Sequence, residues 1–162
     1  MKSKFTKTVF FVSTVAVLMA PAADAVTSRV GSAQDLGFGT ELGQPMGVTA
    51  KYWMNSTLAV DAAMGYHFNH NFDAHADALW HTFSSFDLTN GRLPFYAGVG
   101  ARILLGDNSQ LGMRLPLGAS YLPSNNPIEI FVEIAPVIQL ATSLGADVDG
   151  VVGIRVYINY LK

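Results

Sequence analysis

Residues 71–83 read NFDAHADALWHTF. From Asp73 every second position is polar or titratable: Asp73, His75 and Asp77, then, past Leu79, His81. Phe72, Ala74, Ala76, Ala78 and Trp80 stand between them. A two-residue period sorts side chains onto the opposite faces of a β-strand, one polar and one apolar. The polar row could hold a metal, run a reaction or line an interior. The rest of the chain decides among these, through whether it alternates in the same way.

It does. Residues 34–42 set Gln34, Leu36, Phe38, Thr40 and Leu42 against Asp35, Gly37, Gly39 and Glu41. Residues 46–54 set Met46, Val48, Ala50, Tyr52 and Met54 against Gly47, Thr49, Lys51 and Trp53. Further segments at 57–68, 93–103, 111–121, 128–139 and 148–160 repeat the pattern. With 71–83 this makes eight alternating segments, joined by the turn-like pieces GQP, NS, NHN, SSFDLTNG, GDNS, PSNNP and TSLGA. No helical period competes. The fold class expected is all-β: an eight-stranded antiparallel up-and-down β-barrel. Asn55-Ser56-Thr57 matches a glycosylation sequon but reads first as a turn.

The chain has 162 residues, half of them hydrophobic and 14% charged, against about 25% charged in an average soluble domain. It has no cysteine, which excludes disulfides, thiolate nucleophiles and lipidated cysteines. A net charge of −2 offers no basic patch for nucleic acid. Gly98-Val99-Gly100 lacks the third glycine and the βα setting of a dinucleotide loop.

Residues 1–25 read as a signal peptide. Lys2, Lys4 and Lys7 precede the apolar run VFFVSTVAVLMA, and Ala23-Asp24-Ala25 fits a small-x-small cleavage rule. The barrel domain is then expected over 26–162, with 7 Lys/Arg and 11 Asp/Glu.

Which face turns inward sets the function class. A lipocalin-like barrel hides its apolar face and shows many Lys, Glu, Ser and Thr. Here the mixed face carries few charges, of both signs, spaced by Gly and Ala, while the other face is nearly uncharged. Small residues beside paired charges suit the narrow interior of eight strands. Strands of about 9–11 residues match the thickness of a bilayer. The apolar face is therefore expected outward, toward outer-membrane lipid. With strands alternating up and down, Tyr52, Trp80, Phe95, Tyr121 and Tyr160 fall near one rim and Tyr66, Phe68 and Phe72 near the other, as two aromatic girdles would.

The inward charges expected are Lys51, Asp61, Asp77, Arg102, Arg114, Glu129, Glu133 and Arg155, with His67, Asp73, His75 and His81 as a polar row. A last hairpin turning at Leu144 would set Glu133 opposite Arg155. Pro116 and Pro136 inside strands imply a bulge or a lost ladder bond. Two other chemistries are open to these residues. Asp73, His75 and Asp77 with His67 could ligate a metal, although ligands spaced by two along one strand are not specific. His67, His75 and His81 with Ser84, Ser85 or Ser120 could serve a lipid-modifying hydrolase, but no nucleophile motif surrounds them. Neither a catalytic residue nor a cofactor is therefore assigned.

The stretches GVTAKYWMNSTLAVDAAMGY, HADALWH, LPFYAGVGARI, RLPLGASYL and PIEIFVEIAPVI resemble small exported barrel proteins with no assigned activity, over residues 35–158. More broadly the chain resembles the eight-stranded outer-membrane barrels typified by the OmpA membrane domain and OmpX. The resemblance implies a Gram-negative outer-membrane location, delivery by the barrel-assembly machinery, and a plugged barrel with a structural or interaction role, with a surface or periplasmic protein as an unspecified partner. The alternative is a soluble periplasmic barrel that binds a lipid or another apolar ligand.

Overall fold

In a computed structural model, residues 31, 35–68, 71–83, 87–88, 90–106, 109–140 and 145–158 are described. All regular structure among them is β. The long strands are β1 (Leu36–Gln44), β2 (Met46–Trp53), β3 (Leu58–Tyr66), β4 (Phe72–Thr82), β7 (Phe95–Leu105), β10 (Ile128–Gln139) and β11 (Gly145–Tyr157). The eighth stave is split into β8 (Gln110–Arg114) and β9 (Leu117–Pro123). Two short strands, β5 (Asp87–Leu88) and β6 (Gly91–Arg92), form an extra hairpin.

Every pairing is antiparallel, and β11 pairs with β1, so the sheet closes into an eight-staved barrel. Closure removes the free edges that an open sheet of this size would expose. Following the register from Gly37 through Lys51, Asp61, Asp77, Gly100, Arg114, Val137 and Asp147, and extending the β11–β1 register to close the circuit, gives an offset of about ten residues around the barrel. Such a stagger tilts the strands steeply against the barrel axis. It also brings inward residues of distant strands to one height, which is how single-strand rows become a three-dimensional cluster.

Pro116 produces no bulge. The registers β7–β8 and β7–β9 are continuous across it, as are those of β10 with β8 and β9. The two residues between β8 and β9 keep some backbone bonds: Gly98 N–H donates to Pro116 O at 2.8 Å, and Leu115 N–H to Pro136 O at 3.0 Å. Pro136 likewise sits in unbroken register opposite Val148. What each proline costs is its own missing donor, without an inserted residue.

Alternation decides burial. Lys51, Glu129 and Asp73 are fully buried, as are Trp53, Leu79 and Ser120. Sequence neighbours on the other face are exposed: Tyr52 42% beside Lys51, Trp80 52% beside Leu79 and Ile130 41% beside Glu129. Glycines let the staves approach. A Cβ on Gly39 would collide with the carbonyl oxygen of Ile154, and one on Gly100 with the Asp77 carboxylate. The second contact keeps room for an inward carboxylate on the facing strand.

The expected strand boundaries shift most in four places, among them the segment expected at 93–103, which lies at 95–105. The first segment lies at 36–44 and the last at 145–157, and the stretch 111–121 is two strands. The segment SSFDLTNG is more than a turn, since β6 extends the sheet by pairing Gly91 with Pro123 and Arg92 with Leu122.

Candidate functional site: the charged interior

Among the described residues, chemistry-bearing side chains collect in the barrel interior, which is built in three levels. In the level nearest the chain ends, Lys51 of β2 donates to Glu129 Oε1 at 2.7 Å and to His81 Nε2 at 2.9 Å. An ammonium has no acceptor, so His81 accepts. Glu129 also accepts from Ser120 Oγ at 2.5 Å and Tyr157 OH at 2.6 Å. Arg155 donates through NH2 to Asp61 Oδ2 at 2.9 Å and to Thr49 Oγ1 at 2.8 Å. Its NH1 reaches Glu129 Oε2 at 3.5 Å, and its guanidinium lies 3.9 Å from the Phe131 ring centre.

The middle level centres on Arg114. It pairs with Asp77, with Glu133 Oε1 at 2.7 Å and with Asp149 Oδ2 at 3.3 Å. Tyr96 OH donates to Glu133 Oε2 at 2.9 Å. One guanidinium thus holds three strands through three carboxylates, using the planar fork of donors that lysine lacks. In the far level Arg102 contacts Asp73 Oδ2 and Asp149 Oδ1, both at 2.8 Å, and Asp147 Oδ2 at 3.2 Å. Asp73 also accepts from His67 Nε2 at 3.1 Å and His75 Nδ1 at 3.4 Å.

The end where β1 begins and β11 finishes is sealed. Trp53, Ala59, Leu122 and Tyr157 are fully buried there with Phe83 packed on them. Trp53 Nε1 donates to Tyr157 OH at 3.0 Å, and its ring lies 4.3 Å from that of His81 and 5.9 Å from that of Phe83. Arg92, on the extra hairpin, sits 4.6 Å over the Phe83 ring. The opposite end is polar, with the Asp147 side chain 42% exposed beside buried Arg102.

Every residue expected in the charge network or the polar row is buried: Lys51, Asp61, Asp77, Arg102, Arg114, Glu129, Glu133 and Arg155, with His67, Asp73, His75 and His81. The expected pairing of Glu133 with Arg155 is corrected. The last hairpin sets Glu129 opposite Arg155 and Glu133 opposite Val151, because the strands turn about two residues earlier than Leu144. Glu133 instead serves Arg114 and Tyr96. Sequence reasoning missed Glu41, Asp149 and Thr49 as interior groups, and named Ser120 only as a hydroxyl candidate for a hydrolase. The alternation that found Lys51 and Asp77 places Glu41 and Asp149 on the same face, so the signal was available.

Of the rim aromatics, Tyr52, Trp80, Phe95 and Tyr121 lie on β2, β4, β7 and β9 at the sealed end. Tyr66 and Phe72 face each other across β3 and β4 at the polar end, with ring centres 5.8 Å apart, and Phe68 beyond them is 70% exposed. Tyr160, like Ser84 and Ser85, lies outside the described residues.

Of the groups that the metal and hydrolase chemistries would use, those described are bonded as follows. The Ser120 hydroxyl is bonded to Glu129 and not to a histidine. The three histidines are engaged by Asp73 or Lys51. Among the described residues no three His, Asp or Glu side chains converge as a ready metal site.

Fold and interior together define a class: a closed eight-stranded antiparallel barrel filled by its own ionic network. Compared with family models, curated proteins and solved structures, the chain matches none of them. Its likeness to small barrels therefore rests on architecture alone.

Proposed function

We propose that this chain is an exported, non-enzymatic outer-membrane β-barrel whose charged lumen is plugged by its own side chains and whose role is structural or interactive. One observation carries the reading: each stave presents large apolar side chains on its exposed side. Phe38, Val48, Met64, Trp80, Ile103, Leu117, Val132 and Ile154 represent the eight staves in turn, each at least 45% exposed. Monomers in water rarely expose apolar patches beyond a few hundred Å². An apolar belt that encircles a barrel matches a hydrocarbon surround. The aromatics at both rims and the signal-like residues 1–25 agree with it. Delivery would then fall to the barrel-assembly machinery, with an OmpA- or OmpX-like architecture. A soluble lipid carrier would need the reverse, an apolar cavity inside a polar coat; its interior would not hold Lys51, Arg102, Arg114 and Arg155.

The two tryptophans test this reading. Trp80 is 52% exposed and Trp53 fully buried. In vesicles whose acyl chains carry bromine, fluorescence should be quenched, and Trp80→Phe should remove most of that quenching while Trp53→Phe leaves it. Unquenched fluorescence from folded protein would contradict lipid contact.

A further inference from the structure

Among the described residues, seven carboxylates are almost fully buried: Glu41, Asp61, Asp73, Asp77, Glu129, Glu133 and Asp149. Six of them sit in ion pairs. Asp61 pairs with Arg155, Asp73 and Asp149 with Arg102, Asp77 and Glu133 with Arg114, and Glu129 with Lys51. The four buried guanidinium and ammonium groups are thereby used up. Glu41 is left over. It has no ion-pair partner among the described residues, its Oε1 accepts no hydrogen bond, and the residue is only 2% exposed.

The local sequence explains the isolation. β1 reads LGFGTELGQ, and its alternation turns Gly37, Gly39, Glu41 and Gly43 inward, so Glu41 carries the only inward side chain of this strand. Its ladder partners are glycines on both sides, Gly47 of β2 and Gly153 of β11. Neither flanking strand therefore offers a donor side chain at that level. A Cβ on Gly153 would meet the Phe131 ring, which fills the place such a donor would take. The charged groups within electrostatic reach of Glu41 are His75 of β4, Arg155 of β11, Glu133 of β10 and Arg114 of β8. His75 is bonded to Asp73, Arg155 to Asp61, Thr49 and Glu129, and Arg114 to three other carboxylates, while Glu133 repels. The other charges of the flanking strands are engaged too, Lys51 by Glu129 and both Asp147 and Asp149 by Arg102. An ionised carboxylate shut away from water without a partner is costly, and such a group neutralises instead.

We infer that Glu41 is a built-in proton site: the folded barrel holds its carboxyl protonated at neutral pH, and the fold is reinforced as its surroundings acidify. In the unfolded chain the same group is solvated and ionised above about pH 5. Folding at neutral pH therefore takes up a proton at Glu41. This contribution to stability grows as pH falls, by up to about tenfold in the folding constant for each pH unit, and is complete once the unfolded chain is protonated as well. The proton is acquired as the chain folds, so no channel to the interior is required. The inference concerns the interior only and stands whether lipid or water surrounds the barrel.

The test uses the full barrel, folded in whichever medium keeps it native. Glutamate occurs only at Glu41, Glu129 and Glu133, so labelling glutamate with ¹³C separates these groups from the aspartates in an infrared spectrum. At pH 7 the labelled barrel should show a protonated-carboxyl band, and Glu41→Gln should lack it. Glu41→Asp makes the same assignment if Glu41→Gln does not fold. Unfolding midpoints from pH 8 to pH 5 give the second readout. Glu41→Gln, a neutral isostere of the protonated side chain, should exceed wild type at pH 8, and the gap should narrow toward pH 5. Absence of the labelled band at pH 7 would overturn the inference. So would a band that both variants retain, or midpoints that run parallel across that pH range.

Discussion

Val99→Arg, combined with Val132→Arg, should abolish recovery of folded protein from membranes. Val99 lies near mid-height on β7 opposite Ala78 of β4, and Val132 lies on β10 opposite Val152 of β11. Both are largely exposed. If that exposure is to hydrocarbon, each arginine costs about 2–4 kcal/mol near the bilayer midplane. Two of them are on the order of the whole stability of a small domain, about 5–15 kcal/mol. The check is the fraction of protein that is membrane-extracted and resists unfolding in detergent. Ser56→Arg, in the exposed β2–β3 turn, should leave that fraction unchanged. If lipid is absent, the paired arginines replace exposed valines in water and the yield of folded barrel stays near wild type.

Arg114→Ala should be the most damaging single truncation in the interior. It takes the arginine from three buried carboxylates at once: Asp77 is left stranded, while Glu133 keeps only Tyr96 OH and Asp149 keeps Arg102. Breaking a buried ion pair from one side typically costs about 3–5 kcal/mol, because the remaining charge keeps its desolvation penalty. Here Asp77 is left without its arginine and Glu133 without its cation, so the upper end of that range applies. Denaturant midpoints of the folded barrel measure it. Arg114→Lys should recover only part of the loss, since one ammonium cannot match the three-way fork. Removing charge on both sides, as in Arg114→Met with Asp77→Asn, should cost less than Arg114→Ala alone. A midpoint shift below about 1 kcal/mol for Arg114→Ala would mean that water reaches the middle level and solvates the stranded carboxylates.

Much of this architecture is legible in the sequence because the strand period is two and the interior is ionic. In NFDAHADALWHTF the alternation alone separates buried Asp73, His75, Asp77 and His81 from exposed Ala76 and Trp80. Antiparallel order follows from short turns. Register is less accessible, since it depends on where each hairpin turns. A shift of two residues in the last turn kept every side chain on its face but gave Arg155 a different partner, Glu129 in place of Glu133. A shift of one would have reversed the faces and been visible at once. The hairpin Asp87–Arg92 escaped notice because two-residue strands carry no measurable period. The sealed end escaped for a different reason: Trp53, Phe83, Leu122 and Tyr157 meet only after closure, and nothing local marks them as a group. Glu41 was passed over because its neighbours Gly39 and Gly43 dilute the polar row on β1.

The most direct measurement is fractionation of cells expressing the chain, followed by gel migration of the extracted protein in SDS with and without boiling. A lipid-facing barrel should be recovered in outer membranes and should change mobility on heating, as its closed hydrogen-bonded sheet survives detergent until melted. Recovery as a soluble periplasmic protein with one mobility would contradict the membrane reading.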